Sequence, residues 1–168
     1  MNEVAPHRPG ADAAAQPEIP ENRPARESRW ATFRDGATLY GAVGVGSVIG
    51  GVLRYLAAVL IHVQLGFGAH WGTLFVNVTG SFVIGFYAAL TGPDGRLLTG
   101  PRRRHFVMAG LCGGYTTFSI FSLETLRLAQ SGALAAAAVN IGLSVVTWLL
   151  AVWLGHALAT RLNRLRRS

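Results

Sequence analysis

Four long apolar segments dominate the pattern of hydrophobic and polar positions in this chain of 168 residues. Each has about twenty residues or more, enough for a helix to cross roughly 30 Å of hydrocarbon. None has the polar face that every helix of a soluble bundle needs. The pattern therefore predicts an all-α membrane protein with four transmembrane helices. The segments run from about Ala37 to Val63, Gly72 to Leu90, His105 to Leu126 and Ala133 to Ala159.

The ends of the chain differ in composition from this helical region. Residues 1–36 hold most of the prolines and six of the eight acidic residues, with almost no large aliphatic side chains. Such a composition cannot build a packed core and predicts a disordered tail. We therefore divide the chain into a tail at 1–36, one four-helix domain at 37–160 and a basic C-terminal tail at 161–168.

The charged residues agree with a membrane location. Only 14% of the residues are charged, whereas an average globular chain has about 25%. The net charge is +7, and most of the arginines lie near the ends of the apolar segments. This arrangement favours the positive-inside rule over nucleic-acid binding, so we expect no nucleic-acid partner.

The arginines are also distributed unevenly between the two predicted sides of the membrane. Four crossings put both termini and the loop between the second and third helices on one side, whereas the opposite loops carry only Arg127. The rule therefore predicts both termini in the cytoplasm of a multi-pass cell (inner or plasma) membrane protein. The arginine-rich side carries Arg23, Arg26, Arg29, Arg34, Arg96, Arg102, Arg103, Arg104, Arg161, Arg164, Arg166 and Arg167.

Small residues recur at four-residue spacing in three of the segments. Examples are the pairs Gly46 with Gly50, Gly110 with Gly114, and Ala151 with Gly155. Small side chains at this spacing let helix backbones approach closely. We interpret them as sites of helix packing within the bundle.

Polar residues form a stripe on the second helix. Thr73, Asn77 and Ser81 recur every four residues and therefore share one face. The Asn77 amide needs hydrogen-bond partners in hydrocarbon, so it faces either a neighbouring helix or a polar pathway.

The fourth and first helices add further polar positions. Asn140, Ser144 and Thr147 form a second stripe, and the two stripes together suggest a narrow polar track. Arg54 is predicted near the membrane interface on the side opposite the termini. There it either snorkels to the headgroups or forms a positive vestibule that concentrates an anion.

The third segment contains poor helix sequence. Gly113 and Gly114 are followed by Tyr115, Thr116 and Thr117, which favours a break in the helix. A break frees carbonyl oxygens that bind a small hard cation, unless threonine hydroxyls simply patch a kink.

Three side chains follow this break. Phe118 and Phe121 lie on one face, where their positive ring edges suit an anion path or their bulk fills space against lipid. Glu124 either fixes the later half of the helix or pairs locally with Arg127.

Taken together, these residues resemble the Fluc (CrcB-type) fluoride channels. GGYTTFSIFSLE in the third segment resembles the family's GGxTTFSTF run followed by Glu. GTLFVNVTGSFVIG in the second resembles a GTLxVNxxGSFxxG pattern. The first segment has the Gly-rich approach to arginine, GGVLRY, and the fourth has NIGLSVVTWLLAVWLG. The resemblance covers about residues 38–160.

The resemblance implies a fluoride-specific channel that exports fluoride and is not an enzyme. It implies a broken third helix and an antiparallel dimer in membrane lipid, with a structural Na⁺ at the dimer centre that is not transported. Backbone carbonyls of Gly113 and Thr116 would bind this ion. By the same resemblance, the pore and anion-binding positions are Asn77, Phe118, Phe121, Ser119, Ser144, Asn140 and Arg54, and the structural glutamate is Glu124.

Two features depart from the family pattern. Ile120 stands where the signature usually has threonine, which predicts altered rather than abolished transport. The arginine bias suits a chain with a single orientation, so we hypothesise a heterodimer with an oppositely oriented paralogue. A non-conducting partner subunit stays open as an alternative. A small multidrug exporter is the other alternative, although it would need a carboxylate in the first helix, which has none.

Overall fold

Every regular element in the described part of the chain is a helix. The computed structural model describes residues 25–66 and 68–165. We label as α3 the consecutive stretches Pro101–His105, Phe106–Cys112 and Gly113–Tyr115, of which the middle one is π-helical. The other helices are α1 (Ala25–Val59, continued by the π-helical turn Leu60–Gln64), α2 (Ala69–Leu90), α4 (Phe118–Gln130) and α5 (Leu134–Arg164).

The predicted number of membrane spans is confirmed by length and hydropathy. Four helical stretches are long and apolar enough to cross a membrane, and each overlaps one predicted segment: Phe33–Gln64, His70–Leu90, Pro101–Gln130 and Leu134–Arg164. The third stretch contains both α3 and α4.

The first helix starts earlier than the hydropathy pattern predicts. It begins at Ala25 rather than near Ala37, so residues 25–36 of the predicted tail are helical. A helix that is already nucleated extends at low cost because each added residue gains one backbone hydrogen bond. The rest of the predicted tail, residues 1–24, and the last part of the C-terminal tail, residues 166–168, lie outside the described residues.

Large apolar side chains cover the outer surface of the bundle. Val48 on α1, Val83 on α2, and Leu149 and Trp153 on α5 are all exposed. The described buried core consists mainly of small or medium residues. A water-soluble protein would bury such side chains, whereas lipid solvates them, so this surface suits a helical membrane protein.

Helices α1 and α3 pack backbone to backbone through their glycines. A Cβ atom on Gly46 would lie 2.6 Å from the Phe106 carbonyl oxygen, and one on Gly110 would lie 2.8 Å from the Val43 carbonyl oxygen. Cβ atoms on Gly50 and Gly114 would also meet backbone atoms of the opposite helix. The spaced glycines therefore act as packing sites, as predicted.

Helices α2 and α5 form the second close pair. A side chain on Gly85 would collide with the Val152 backbone, and one on Gly155 would collide with the Phe82 backbone. The backbones of α2 and α5 therefore lie in close contact at these two glycines.

The turn between α4 and α5 is a Schellman motif. The Ala133 amide donates to the Leu128 carbonyl, and the Gly132 amide donates to the Ala129 carbonyl. Gly132 has φ +81°, a left-handed conformation that glycine adopts without steric penalty. The motif ends α4 and returns the chain directly into α5.

Candidate functional site

Two extended residues separate α3 from α4. α3 ends at Tyr115, and Thr116 has φ −82° and ψ 160°. Thr117 has φ −147° and ψ 121°, and α4 begins at Phe118. Both residues are β-branched, which favours extended backbone over helix. The Gly–Gly–Tyr–Thr–Thr sequence therefore gives an irregular junction, which we call the α3–α4 junction (residues 116–117).

Asn77 on α2 pairs with the backbone of this junction. Its Nδ2 donates to the Thr117 carbonyl oxygen at 2.9 Å, and its Oδ1 accepts from the Thr117 amide at 2.8 Å. The side chain is 5% exposed. Asn77 thus satisfies one buried donor and one buried acceptor that the extended backbone leaves without helical partners.

The Thr117 side chain caps α4. Its Oγ1 accepts from the Ile120 amide at 3.2 Å, in the N-cap arrangement typical of threonine. The same hydroxyl lies 3.2 Å from the Ser119 hydroxyl. Ser119, a predicted polar-track residue in the first turn of α4, therefore contacts the capping residue of its own helix.

The amides of Thr117 and Ile120 donate to side chains instead of to the carbonyls that they would meet in a continuous helix. In an α-helix the Thr117 amide would donate to the Gly113 carbonyl and the Ile120 amide would donate to the Thr116 carbonyl. Here the first amide donates to Asn77 and the second to the Thr117 hydroxyl. The carbonyls of Gly113 and Thr116 therefore lose their helical donors.

Arg54 on α1 reaches the junction. Its Nη1 donates to the Thr116 carbonyl oxygen at 3.2 Å, and the contact is partly buried. Its guanidinium group therefore lies against the C-terminal end of α3. A positive charge there also complements the negative end of the α3 dipole.

An aromatic cluster follows the junction. The ring centroids of Phe118 and Phe121 are 5.5 Å apart with an interplanar angle of 49°. Phe121 is 6% exposed, whereas Phe118 is 71% exposed. The Phe121 ring also makes a T-shaped contact with Trp148 on α5, with centroids 4.9 Å apart.

Glu124 connects α4 to α2. The Thr73 hydroxyl donates to the Glu124 Oε1 at 2.8 Å, and the pair is partly buried. Thr73 lies one turn before Asn77, so these two polar residues of α2 bind the middle of α4 and the α3–α4 junction, respectively. Glu124 thus has a long-range partner that the local spacing to Arg127 does not predict.

On α5, the predicted polar residue Asn140 has a partner on α4 that differs from the partner of Asn77. Asn140 Nδ2 donates to the Thr125 hydroxyl on α4 at 2.9 Å. Ser144 is 2% exposed, one turn further along α5. Asn140 therefore contacts α4, and Ser144 is buried in the bundle.

A cavity of about 300 Å³ lies at the junction. It contains predicted site residues from α2, α3 and α4, together with one tryptophan of α5 that the sequence did not single out. Among the described residues, no group of three or more His, Cys, Asp or Glu side chains could hold a metal ion. The lining residues are Asn77, Gly80, Ser81, Ile84, Met108, Cys112, Gly113, Thr116, Thr117, Phe118 and Trp148.

The structure brings together part of the predicted site. Asn77, Gly113, Thr116 and Phe118 line the cavity, and Phe121 contacts Phe118. The other predicted residues adjoin this group or α4: Arg54 at the junction, Ser119 at Thr117, Glu124 at Thr73, Asn140 at Thr125, and buried Ser144.

Sequence reasoning missed three partners in this region. The Thr73 contact was signalled by its four-residue spacing from Asn77, and the capping role of Thr117 by its position before an apolar helix. Trp148 lies in an apolar run without any distinguishing spacing, so no sequence signal indicated it.

A family model and individual relatives of this chain point to the same family. Residues 41–156 match the model of a family described as CrcB-like protein, Camphor Resistance (CrcB). The chain is 62% identical over 134 residues to a Rhodopseudomonas palustris protein named Fluoride-specific ion channel FluC 1, which covers 80% of this chain and 95% of the relative. It is 53% identical over 147 residues to a protein of the same name from Bradyrhizobium diazoefficiens. That alignment covers 88% of this chain and 99% of the relative.

A third relative supports the same assignment. The Methylocella silvestris protein named Fluoride-specific ion channel FluC is 50% identical over 122 residues, or 73% of this chain and 93% of the relative. The family model covers more than half of the chain, and the motifs that it spans include the junction and parts of all four membrane-capable stretches. The chain is a multi-pass membrane protein that belongs to the CrcB-like protein family.

Proposed function

We propose that this chain forms a fluoride-specific ion channel that exports fluoride from the cell and thereby lowers cytoplasmic fluoride. The observation that carries the proposal is the cavity at the α3–α4 junction, where Asn77 and the exposed Phe118 lie together within the membrane-capable part of the bundle. The relatives named above are fluoride-specific channels and share 50–62% of the aligned residues with this chain.

The side chains at the cavity suit a strongly hydrated small anion. Such an anion must exchange water donors for protein donors as it enters. The Asn77 amide nitrogen has two hydrogens, of which one donates to Thr117, so the other is available for an ion. Ring edges of Phe118 and Phe121 add positive electrostatic potential without binding the ion tightly.

We further propose that α3 and α4 are the two halves of one discontinuous transmembrane helix. Together they occupy the single apolar stretch Pro101–Gln130. Irregular backbone at membrane depth is tolerated where it is enclosed by protein or lines a cavity. The buried pairing of Thr117 with Asn77 supplies such an enclosure.

A structural Na⁺ would bind the backbone carbonyls of Gly113 and Thr116. Both residues line the cavity, and both carbonyls have lost their helical donors. The Thr116 oxygen accepts from Arg54, which leaves its second lone pair for another ligand. Two oxygens from each of two subunits would give the ion an oxygen-only site that links the subunits.

The exposed surface at the junction supports an antiparallel dimer. Phe118 is 71% exposed beside a cavity that contains polar groups, and such a cavity needs protein rather than lipid against it. The arginine bias supports cytoplasmic termini and one orientation per chain. The second subunit would then be an oppositely oriented paralogue.

Fluoride efflux from liposomes tests the function. The purified chain alone would be reconstituted, fluoride release measured with a fluoride-selective electrode, and the assay repeated with chloride. Fluoride-selective efflux by the chain alone would establish the channel and exclude an obligatory paralogue. Efflux only after co-expression with a paralogue would establish the heterodimer, and no efflux in either case would contradict the proposal.

A partner subunit that does not conduct is distinguished by the same assay. In a heterodimer with this chain, Phe118→Ile would abolish one pore if the Phe118 of this chain lines a conducting path. Unchanged efflux with Phe118→Ile, together with loss of efflux when the chain is omitted, would assign it an assembly role.

A further inference from the structure

Trp148 carries a buried hydrogen-bond donor with no partner. Its indole Nε1 is the buried side-chain nitrogen or oxygen in the described part of the chain that makes no hydrogen bond. Buried polar groups in native proteins are nearly always paired, so an exception needs an explanation.

The indole adjoins the proposed ion path on two sides. Its ring makes the T-shaped contact with Phe121, at an interplanar angle of 73°. The same side chain lines the cavity that contains Asn77, Thr117 and Phe118. Trp148 therefore lies where an ion that passes Phe118 toward Phe121 would meet α5.

The chemistry of the indole selects the class of ligand. The N–H group only donates hydrogen bonds, so it suits an anion and not a cation. Because it is already out of water and fixed by the Phe121 contact, it needs no desolvation or reordering when an anion arrives. A small anion of high charge density gains most from such a donor, because its charge lies closer to the donated hydrogen than that of a larger anion.

We propose that the Trp148 N–H donates a hydrogen bond to the permeating anion and favours fluoride over chloride. This inference rests on the proposed function and adds a specificity-determining residue to the same path. The Phe121 ring holds the indole in place, and Asn77 supplies the preceding donor. The two donors come from α2 and α5, which pack closely through Gly85 and Gly155.

A direct test uses the indole proton as a reporter. The full chain would be labelled with ¹⁵N-tryptophan in lipid nanodiscs, and the four indole signals assigned with single Trp→Phe variants at Trp30, Trp71, Trp148 and Trp153. Titration with sodium fluoride should shift the Trp148 proton downfield in a saturable manner, whereas sodium chloride should leave it in place. An unmoved signal, or equal shifts with both salts, would overturn the proposal.

Transport by a conservative variant provides the second test. Trp148→Phe keeps an aromatic ring and removes the donor, and should reduce the fluoride efflux rate roughly tenfold and lower the fluoride-to-chloride ratio, given what a lost hydrogen bond to a charged group typically costs. Trp153→Phe is the matched control because Trp153 is on the same helix and 64% exposed. Equal efflux and selectivity in both variants would overturn the proposal.

The two tests also separate this inference from the proposed function. A chain that conducts fluoride while Trp148→Phe keeps its rate and selectivity would refute only the role of Trp148. A wild-type chain without efflux, alone or with a paralogue, would refute the channel, and the indole titration would still report whether Trp148 binds fluoride.

Discussion

Asn77 combines a structural contact and a proposed ion contact in one side chain. Its carbonyl oxygen and one amide hydrogen pair with the Thr117 backbone, and its second amide hydrogen is left for an ion. The sequence left interhelical bonding and a polar pathway as alternatives for this residue. The structure gives Asn77 a partner on the α3–α4 junction and places it on the wall of the cavity, so the two interpretations are compatible.

Replacement of Asn77 by leucine should destabilise the junction strongly. Asn77→Leu would leave the buried amide and carbonyl of Thr117 unpaired, at about 1–3 kcal/mol for each group. Thermal unfolding in detergent should show a clear decrease in Tm, together with loss of fluoride efflux. Asn140→Leu is the control because it removes one side-chain hydrogen bond and no backbone contact. Equal decreases in Tm for the two variants would contradict the role of Asn77 at the junction.

The contact between Thr73 and Glu124 should behave as a coupled pair. Thr73→Val and Glu124→Gln each weaken the same partly buried hydrogen bond. In a double-mutant cycle on the free energy of unfolding, we expect a coupling of about 1 kcal/mol. Thr79→Val with Glu124→Gln is the matched negative cycle, because Thr79 bonds within α2 and to Tyr115. Additive effects for Thr73 and Glu124 would contradict a direct energetic link between α2 and α4.

At the scale of the elements, glycine positions decide how closely the helices pack. Gly50 lies against the backbone of α3, whereas a methyl group added to the adjacent Gly51 would meet open space, with nothing within 4 Å. Both positions are glycine, but Gly50 lies against a neighbouring helix and Gly51 faces open space. Helical periodicity indicates that they lie on different faces, but not which face meets α3.

Alanine substitutions at these two glycines should have opposite effects. Gly50→Ala would force α1 and α3 apart, and overpacking of this kind costs about 1–3 kcal/mol. Gly51→Ala meets open space and should be neutral or stabilising by up to about 1 kcal/mol because alanine favours helix. The measurement is Tm of each purified variant in the same detergent. A similar loss of stability at both positions would contradict the observed packing of α1 on α3.

At the scale of the whole molecule, the arginines on one side are expected to set the orientation of the chain. Arg102, Arg103 and Arg104 lie at the start of α3, and Arg102 also donates to Thr38 on α1 at 3.0 Å. Their exposed positions suit interaction with headgroups and with the insertion machinery rather than a role in the core. Orientation is therefore separable from folding of the bundle.

Neutralising this arginine cluster should produce chains of both orientations. We expect the wild-type C-terminus on the cytoplasmic side only, and on both sides after Arg102, Arg103 and Arg104 are each replaced by glutamine. A C-terminal tag cleaved by protease in intact or inverted vesicles measures this distribution. Arg127→Gln is the control and should preserve a single orientation. A wild-type chain found in both orientations would refute the heterodimer hypothesis.

The sequence by itself determined the membrane class, the four spans, the spaced glycines and the region of the junction. These features depend on local properties: hydropathy, residue size and helix propensity along a short stretch of chain. The run from Gly113 to Thr117 indicated irregular backbone, which lies at Thr116 and Thr117, whereas Gly113 and Gly114 stay helical. The first helix began earlier than its hydropathy pattern, because its end is defined by hydrogen bonding rather than by apolarity.

Only the tertiary structure decided which residues meet. Arg54 and Thr116 are 62 positions apart, Thr73 and Glu124 are 51 apart, and Asn77 and Thr117 are 40 apart. Such contacts depend on the rotation and depth of each helix, which the close glycine contacts between α1 and α3 and between α2 and α5 fix. The unpaired Trp148 donor arises from the same packing, since its surroundings come from helices that are distant in sequence.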